Sequence, residues 1–135
     1  VSALTYVGFF RELTPHAPAF HRGSLREALS PPGDYPADAV AGYLDAGLPV
    51  LDVMELTYDV VDGAFQVPGG SSVVTDGQFV WRHDLAPYVR HYAPALPEAF
   101  VARALTPPGV PAALPRDEMI ALSGRIVAEL GFRTS

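Results

Sequence analysis

The feature that most constrains this chain is a hairpin written into residues 72–81. Two short runs, 72–75 (Ser-Val-Val-Thr) and 78–81 (Gln-Phe-Val-Trp), flank Asp76-Gly77, the preferred pair for a two-residue type I′ turn. Asp84 follows at once, where its side chain is expected to cap a helix over 85–92. Pro87 falls in the tolerant first turn of that helix, and Leu85, Tyr88, Val89 and Tyr92 form its inner stripe. A hairpin running straight into a helix demands a fold in which strands and helices share one core.

The remaining elements are short and separated by Pro and Gly. Residues 4–10 read as a first strand, and Ser24-Leu25-Arg26-Glu27 is a capping box that opens a helix reaching about residue 29. A second helix is predicted over 36–46, with Val40, Tyr43 and Leu44 on its apolar side. Residues 50–61 carry a long strand signal whose alternation slips, so a bulge or break is expected near Asp52. Further helices are predicted over 98–105 and from Pro115 to about residue 130, the latter with Ile120, Ile126, Val127 and Leu130 on its core side; 106–114 is a Pro/Gly-rich loop before it. Strands and helices without regular βαβ alternation predict an α+β domain: a small antiparallel sheet with helices packed on one side. At 135 residues, 1–135 is expected to be a single domain.

Composition narrows the chemistry. Cysteine is absent, which excludes disulfides and thiolate sites, and no apolar run approaches the ~20 residues of a membrane span. No signal-peptide pattern opens the sequence, so a cytoplasmic protein is expected. Lysine and asparagine are also missing, a bias that a GC-rich bacterial genome explains. The net charge of −6 argues against nucleic acid as a partner. Its distribution says more. Between Arg26 and Arg82 there is no basic residue, while Glu27, Asp34, Asp38, Asp45, Asp52, Glu55, Asp59, Asp62 and Asp76 all fall there. If those side chains share a face they set up a one-signed field; otherwise they only keep the protein soluble.

No motif names a reaction. His16, His21, His83 and His91 lack the i, i+3 or i, i+4 spacing of helical metal ligands, and no bound metal or cofactor is expected. His83-Asp84 has the composition of a base oriented by a carboxylate, but sequence neighbours point apart and Asp84 suits the helix cap better. Ser71-Ser72 sits in no Gly-x-Ser-x-Gly elbow, and no Gly-Lys pair makes a phosphate loop. Asp52, Glu55, Asp59 and Asp62 alternate between faces, which suits a guarded edge or an acidic docking surface better than a convergent catalytic site. The rings of Phe79, Trp81, Tyr88, Tyr92 and Phe100 are expected in the core. Arg82 and His83, at the strand-to-helix corner, are expected partly solvated and able to contact a partner.

The run from Thr75 to Val89, then Tyr92 and Leu96-Pro97-Glu98-Ala99-Phe100, resembles a family of small uncharacterised bacterial proteins. Its pattern is Asp-Gly-x-aromatic-x-Trp, an acidic-Leu helix start, Tyr-Val and Leu-Pro-x-x-Phe. The opening from Tyr6 to Leu13 is similar to actinobacterial members. Phe79 stands where Trp is common and Pro87 where Tyr is common. Some relatives look like immunity proteins that neutralise toxins, which implies binding and carries over no catalytic residue. The function expected is therefore a non-enzymatic interaction protein of immunity or inhibitor type. It would bind a basic protein partner, such as a toxin, through Asp52, Glu55, Asp59, Asp62, Arg82 and His83. The alternatives are a small enzyme or accessory protein of specialised metabolism with a His/carboxylate pocket, and a subunit of a homo-oligomer.

Overall fold

The hairpin forms and organises the molecule. The structure, a computed structural model, describes residues 4–14 and 23–130. In chain order the elements are β1 (Thr5–Tyr6), α1 (Leu25–Ala28), α2 (Ala37–Asp45), β2 (Leu48–Leu51), β3 (Leu56–Tyr58), β4 (Gln66–Pro68), β5 (Val73–Thr75), β6 (Phe79–Arg82), α3 (Leu85–Tyr92), α4 (Glu98–Leu105) and α5 (Arg116–Leu130). A four-stranded sheet runs β1-β6-β5-β2, and β3-β4 is a separate two-stranded ribbon. The class is α+β. The larger sheet is mixed, because β1 lies parallel to β6 with Thr5 opposite Phe79, while the β6-β5 and β5-β2 pairs are antiparallel.

Pleating sends alternate residues of β5 and β6 to two cores. On one face Val74, Phe79 and Trp81 pack with Leu25, Val40, Tyr43, Leu44, Leu85, Tyr88, Val89 and Phe100, which come from α1 to α4. On the other, Val73 and Val80 pack with Tyr6, Phe9 and Ile126. Helices therefore cover both faces, α5 alone on the second, where the sequence pattern pointed to one. The apolar stripe of α5 is thin: of its residues only Ile126 is buried, and Ile120 stands in solvent. Trp81 is 1% exposed, meets Phe100 edge-on at 5.5 Å, and donates its indole N–H to the Leu44 carbonyl at 3.2 Å. Phe79, Trp81, Tyr88 and Phe100 are core, as expected, whereas Tyr92 is only partly buried and packs against the core's edge.

Two local expectations change. The turn is centred on Gly77-Gln78: Asp76 N–H donates to the Phe79 carbonyl, and Gly77 takes φ +101°. The helix box at Ser24 is not made. Instead Glu12 reaches across from the N-terminal segment, accepting the Ser24 hydroxyl at 2.6 Å and the Leu25 and Arg26 N–H groups at 2.9 and 3.2 Å. Burial pushes the Glu12 carboxyl up, but these donors outweigh it and hold its pKa at about 2. The 50–61 signal breaks after Leu51, at the expected place near Asp52, and its two halves join different sheets.

The hairpin is fixed to the helices by Asp76. Its carboxylate has no exposure, and Oδ1 accepts the Gln78 and Phe79 N–H groups at 2.9 and 2.7 Å. Oδ2 accepts the Tyr43 hydroxyl of α2 at 2.7 Å and the Arg103 Nε–H of α4 at 2.8 Å. Burial and the adjoining carboxylate push the Tyr43 phenol up to about 12, so it stays a donor at every working pH. Four donors on one buried anion join the turn, α2 and α4. Asp76→Ala orphans the Tyr43 hydroxyl and two N–H groups and is expected to cost on the order of 3–5 kcal/mol. Arg103→Ala, at a side chain 41% exposed, is expected to cost about 1 kcal/mol or less. Urea unfolding midpoints of the two variants check the difference.

Candidate functional site

The six residues singled out from sequence separate into two groups. Asp59 and Arg82 are buried; Asp52, Glu55, Asp62 and His83 are exposed. Two buried carboxylates, Asp84 and Asp59, account for the division.

Asp84 is 1% exposed and makes no side-chain cap on α3. Its oxygens accept Nε–H and Nη2–H of Arg82 at 3.0 and 2.9 Å and the Thr57 hydroxyl of β3 at 3.0 Å. Arg82 also donates to the Leu13 carbonyl, so its guanidinium is spent inside the protein, and of the expected solvated corner only His83 is exposed. Burial pushes the Asp84 carboxyl up, and the Arg82 charge and these hydrogen bonds pull against it. Space here is tight: a Cβ on Gly70 would lie 1.8 Å from the Thr57 hydroxyl oxygen and 3.1 Å from the carboxylate, so only glycine fits.

Asp59 closes the turn after β3. It accepts the Val61 and Ala64 N–H groups at 2.8 and 2.9 Å, and the Tyr92 hydroxyl donates to it. Partial burial raises its carboxyl, but these donors prevail and hold it below its ordinary value, while the same contact pushes the Tyr92 phenol up to about 12. Tyr88 completes the attachment, accepting the Val60 N–H at 3.0 Å and donating to the Tyr58 carbonyl at 3.2 Å. Asp59 is thus a structural carboxylate, and its place in the expected docking surface is withdrawn.

These anchors orient the ribbon. Thr57, Val67 and Asp59 face inward, and period-two alternation turns Leu56 and Tyr58 outward, opposite Pro68 and Gln66. On β3 the result reverses the usual pattern: polar groups point at the protein and apolar ones at water. Tyr58 is 62% exposed and Met54 completely so, with Leu56 and Val60 nearly half exposed.

Beside the strip lies an open cleft of about 760 Å³. Leu44, Pro49, Val53, Met54, Leu56 and Pro68 supply its apolar lining, and Asp45, Asp52, Glu55 and His83 its polar one. Asp45 is taken up by Arg90 at 2.8 Å, whereas neither the Asp52 nor the Glu55 carboxylate has an ion-pair or hydrogen-bond partner among the described residues. Asp62 lies beyond the far end of β3, in the turn before β4.

No family model, curated protein or solved structure matches the chain. Ser72 lines the cleft near His83, but its hydroxyl is occupied by Val53, accepting the N–H at 2.9 Å and donating to the carbonyl at 3.3 Å. No nucleophile–base hydrogen bond joins Ser72 to His83. Among the described residues no three His, Asp or Glu converge to hold a metal ion; His16 and His21 lie outside those residues. No helix among them is long and apolar enough to cross a membrane. What the arrangement offers is an apolar surface with unpaired negative charge at its edge.

Asp59→Asn is expected to destabilise the domain by about 1–3 kcal/mol, because it weakens three hydrogen bonds to a carboxylate. A depressed folded-state pKa adds stability above the unfolded value, so the gap to wild type should close as pH falls below the ordinary 3.8. The Asp52→Asn/Glu55→Gln pair should change stability by less than about 0.5 kcal/mol. Urea titrations of these variants between neutral and acid pH measure both.

Proposed function

We propose that this chain is a non-enzymatic interaction protein of immunity or inhibitor type, docking a basic protein partner on the outer face of the β3-β4 ribbon. One observation carries the reading: Leu56 and Tyr58 on β3, Met54 just before it and Val60 just after it are all exposed to solvent, while Thr57, Asp59 and the Val60 N–H are held from beneath. Single exposed apolar side chains are ordinary, but a contiguous strip with an acidic margin is the pattern of a recognition surface. The charge of the partner follows from Asp52, Glu55 and Asp62, which flank the strip with no cation between Arg26 and Arg82 to compensate them. The same charge disfavours self-pairing, since two copies would bring like-charged margins together. The resemblance to immunity proteins agrees with a binding role. Arg82 and Asp59 take no part, whereas His83 remains at the cleft edge.

A photo-crosslinking residue placed at position 58 in the source cells tests this. It should form an adduct with a basic protein, and one at Ala128, exposed on α5, should not. With the partner purified, Tyr58→Ser/Val60→Ser should lower affinity at least tenfold. Raising salt should slow association with wild type. Equal adducts at both positions, or a partner bound as well by the Ser variant, would overturn the proposal.

A further inference from the structure

The docking reading leaves the cleft without an occupant, and its chemistry is more specific than that of the strip. The walls from Leu44, Pro49, Val53 and Met54 are apolar, yet two carboxylates, Asp52 and Glu55, stand at the same cleft with no counter-charge among the described residues. Neighbouring acids show what this protein does with a carboxylate that serves the fold: Asp59, Asp76 and Asp84 are each met by two or more donors. The Asp52 and Glu55 carboxylates can be replaced without loss of any hydrogen bond or ion pair among the described residues. Met54 is wholly exposed at the cleft edge, and an unbranched thioether adapts its shape to an incoming group at low cost.

Resting on the docking reading, we propose that the cleft receives one long cationic side chain, arginine or lysine, from the docked partner. Such a side chain has an apolar stem and a charged head, and so matches both halves of the site. The stem lies along Leu44, Pro49 and Met54, and the head pairs with Asp52 and Glu55. A neutral aliphatic side chain would satisfy only the walls, and a small hydrated cation only the carboxylates. A cleft of about 760 Å³ has room for the whole side chain and part of its backbone. An acidic side chain is refused by the same two carboxylates.

The sequence supplies its own probe, because its two methionines are Met54 in the cleft and Met119 on α5. Methyl labelling of methionine then reports the site and an internal control. Two capped tripeptides, Leu-Arg-Leu and its neutral isostere Leu-citrulline-Leu, are titrated into the full chain at millimolar concentration, with Leu-Lys-Leu as a third arm. The arginine and lysine peptides should shift the Met54 methyl and leave Met119 unmoved. Citrulline should bind at least tenfold more weakly, and added salt should narrow the difference. In Asp52→Asn/Glu55→Gln the three peptides should become equivalent.

Equal binding of arginine and citrulline to wild type would overturn cation recognition and leave the strip's docking role standing. An unmoved Met54 methyl with every peptide would overturn occupancy of the cleft altogether. Retained arginine preference in the double variant would remove Asp52 and Glu55 from the site. Tyr58 and Val60 are not in the cleft lining, so a failure of ribbon docking is read from their variant and not from these titrations.

Discussion

A carboxylate taken out of water has to be answered by donors from the protein itself, and at Asp84 that requirement decides which way the ribbon faces. Arg82 supplies charge along two hydrogen bonds, and Thr57 supplies the third donor from β3. Turning Thr57 away would leave that buried carboxylate one donor short, at a cost of about 1–3 kcal/mol, which favours its inward orientation. Once Thr57 points inward, the pleat sends Leu56 and Tyr58 outward. The exposed apolar strip is thus a consequence of where the polar anchor lies. Gly70 shows how closely the anchor is packed, since a single methyl group would collide with it.

Asp76 plays the matching role at the other end of the hairpin, where it ties the turn to α2 and α4. Between them the two aspartates hold the sheet to its helices and to the ribbon. The long acidic stretch is therefore two populations. Asp59 and Asp76 serve the fold, and Asp52, Glu55 and Asp62 remain free to act on a partner. Summed charge cannot separate them. Burial and donors can.

The helices and the hairpin were legible because their signals are local. Asp76-Gly77 between two β-branched runs, the stripe of Leu85, Tyr88, Val89 and Tyr92, and Pro115 ahead of the last helix each declare themselves within a few residues. What the sequence concealed are pairings between distant residues. Glu12 displaces the Ser24 box, Thr57 reaches Asp84 from β3, and the first strand joins β6 in parallel across more than seventy residues. The site was half legible. Asp52, Glu55 and His83 do line one cleft. Met54, Leu56 and Tyr58 were passed over because an apolar period of two is ordinarily read as the buried face. The polar residues between them, Thr57 and Asp59, were the available sign that this strand is turned the other way.

The central claim is that β3 holds its polar residues, Thr57 and Asp59, inward over Val67 and turns its apolar ones, Leu56 and Tyr58, out. Solvent paramagnetic relaxation of methyl signals, with a water-soluble gadolinium chelate, tests it residue by residue on one ribbon. The account predicts strong broadening of Leu56 and Val60 and protection of Val67, which is 8% exposed on the inner side. Protection of Leu56 together with broadening of Val67 would mean that the ribbon is turned over, and would contradict the account at its root.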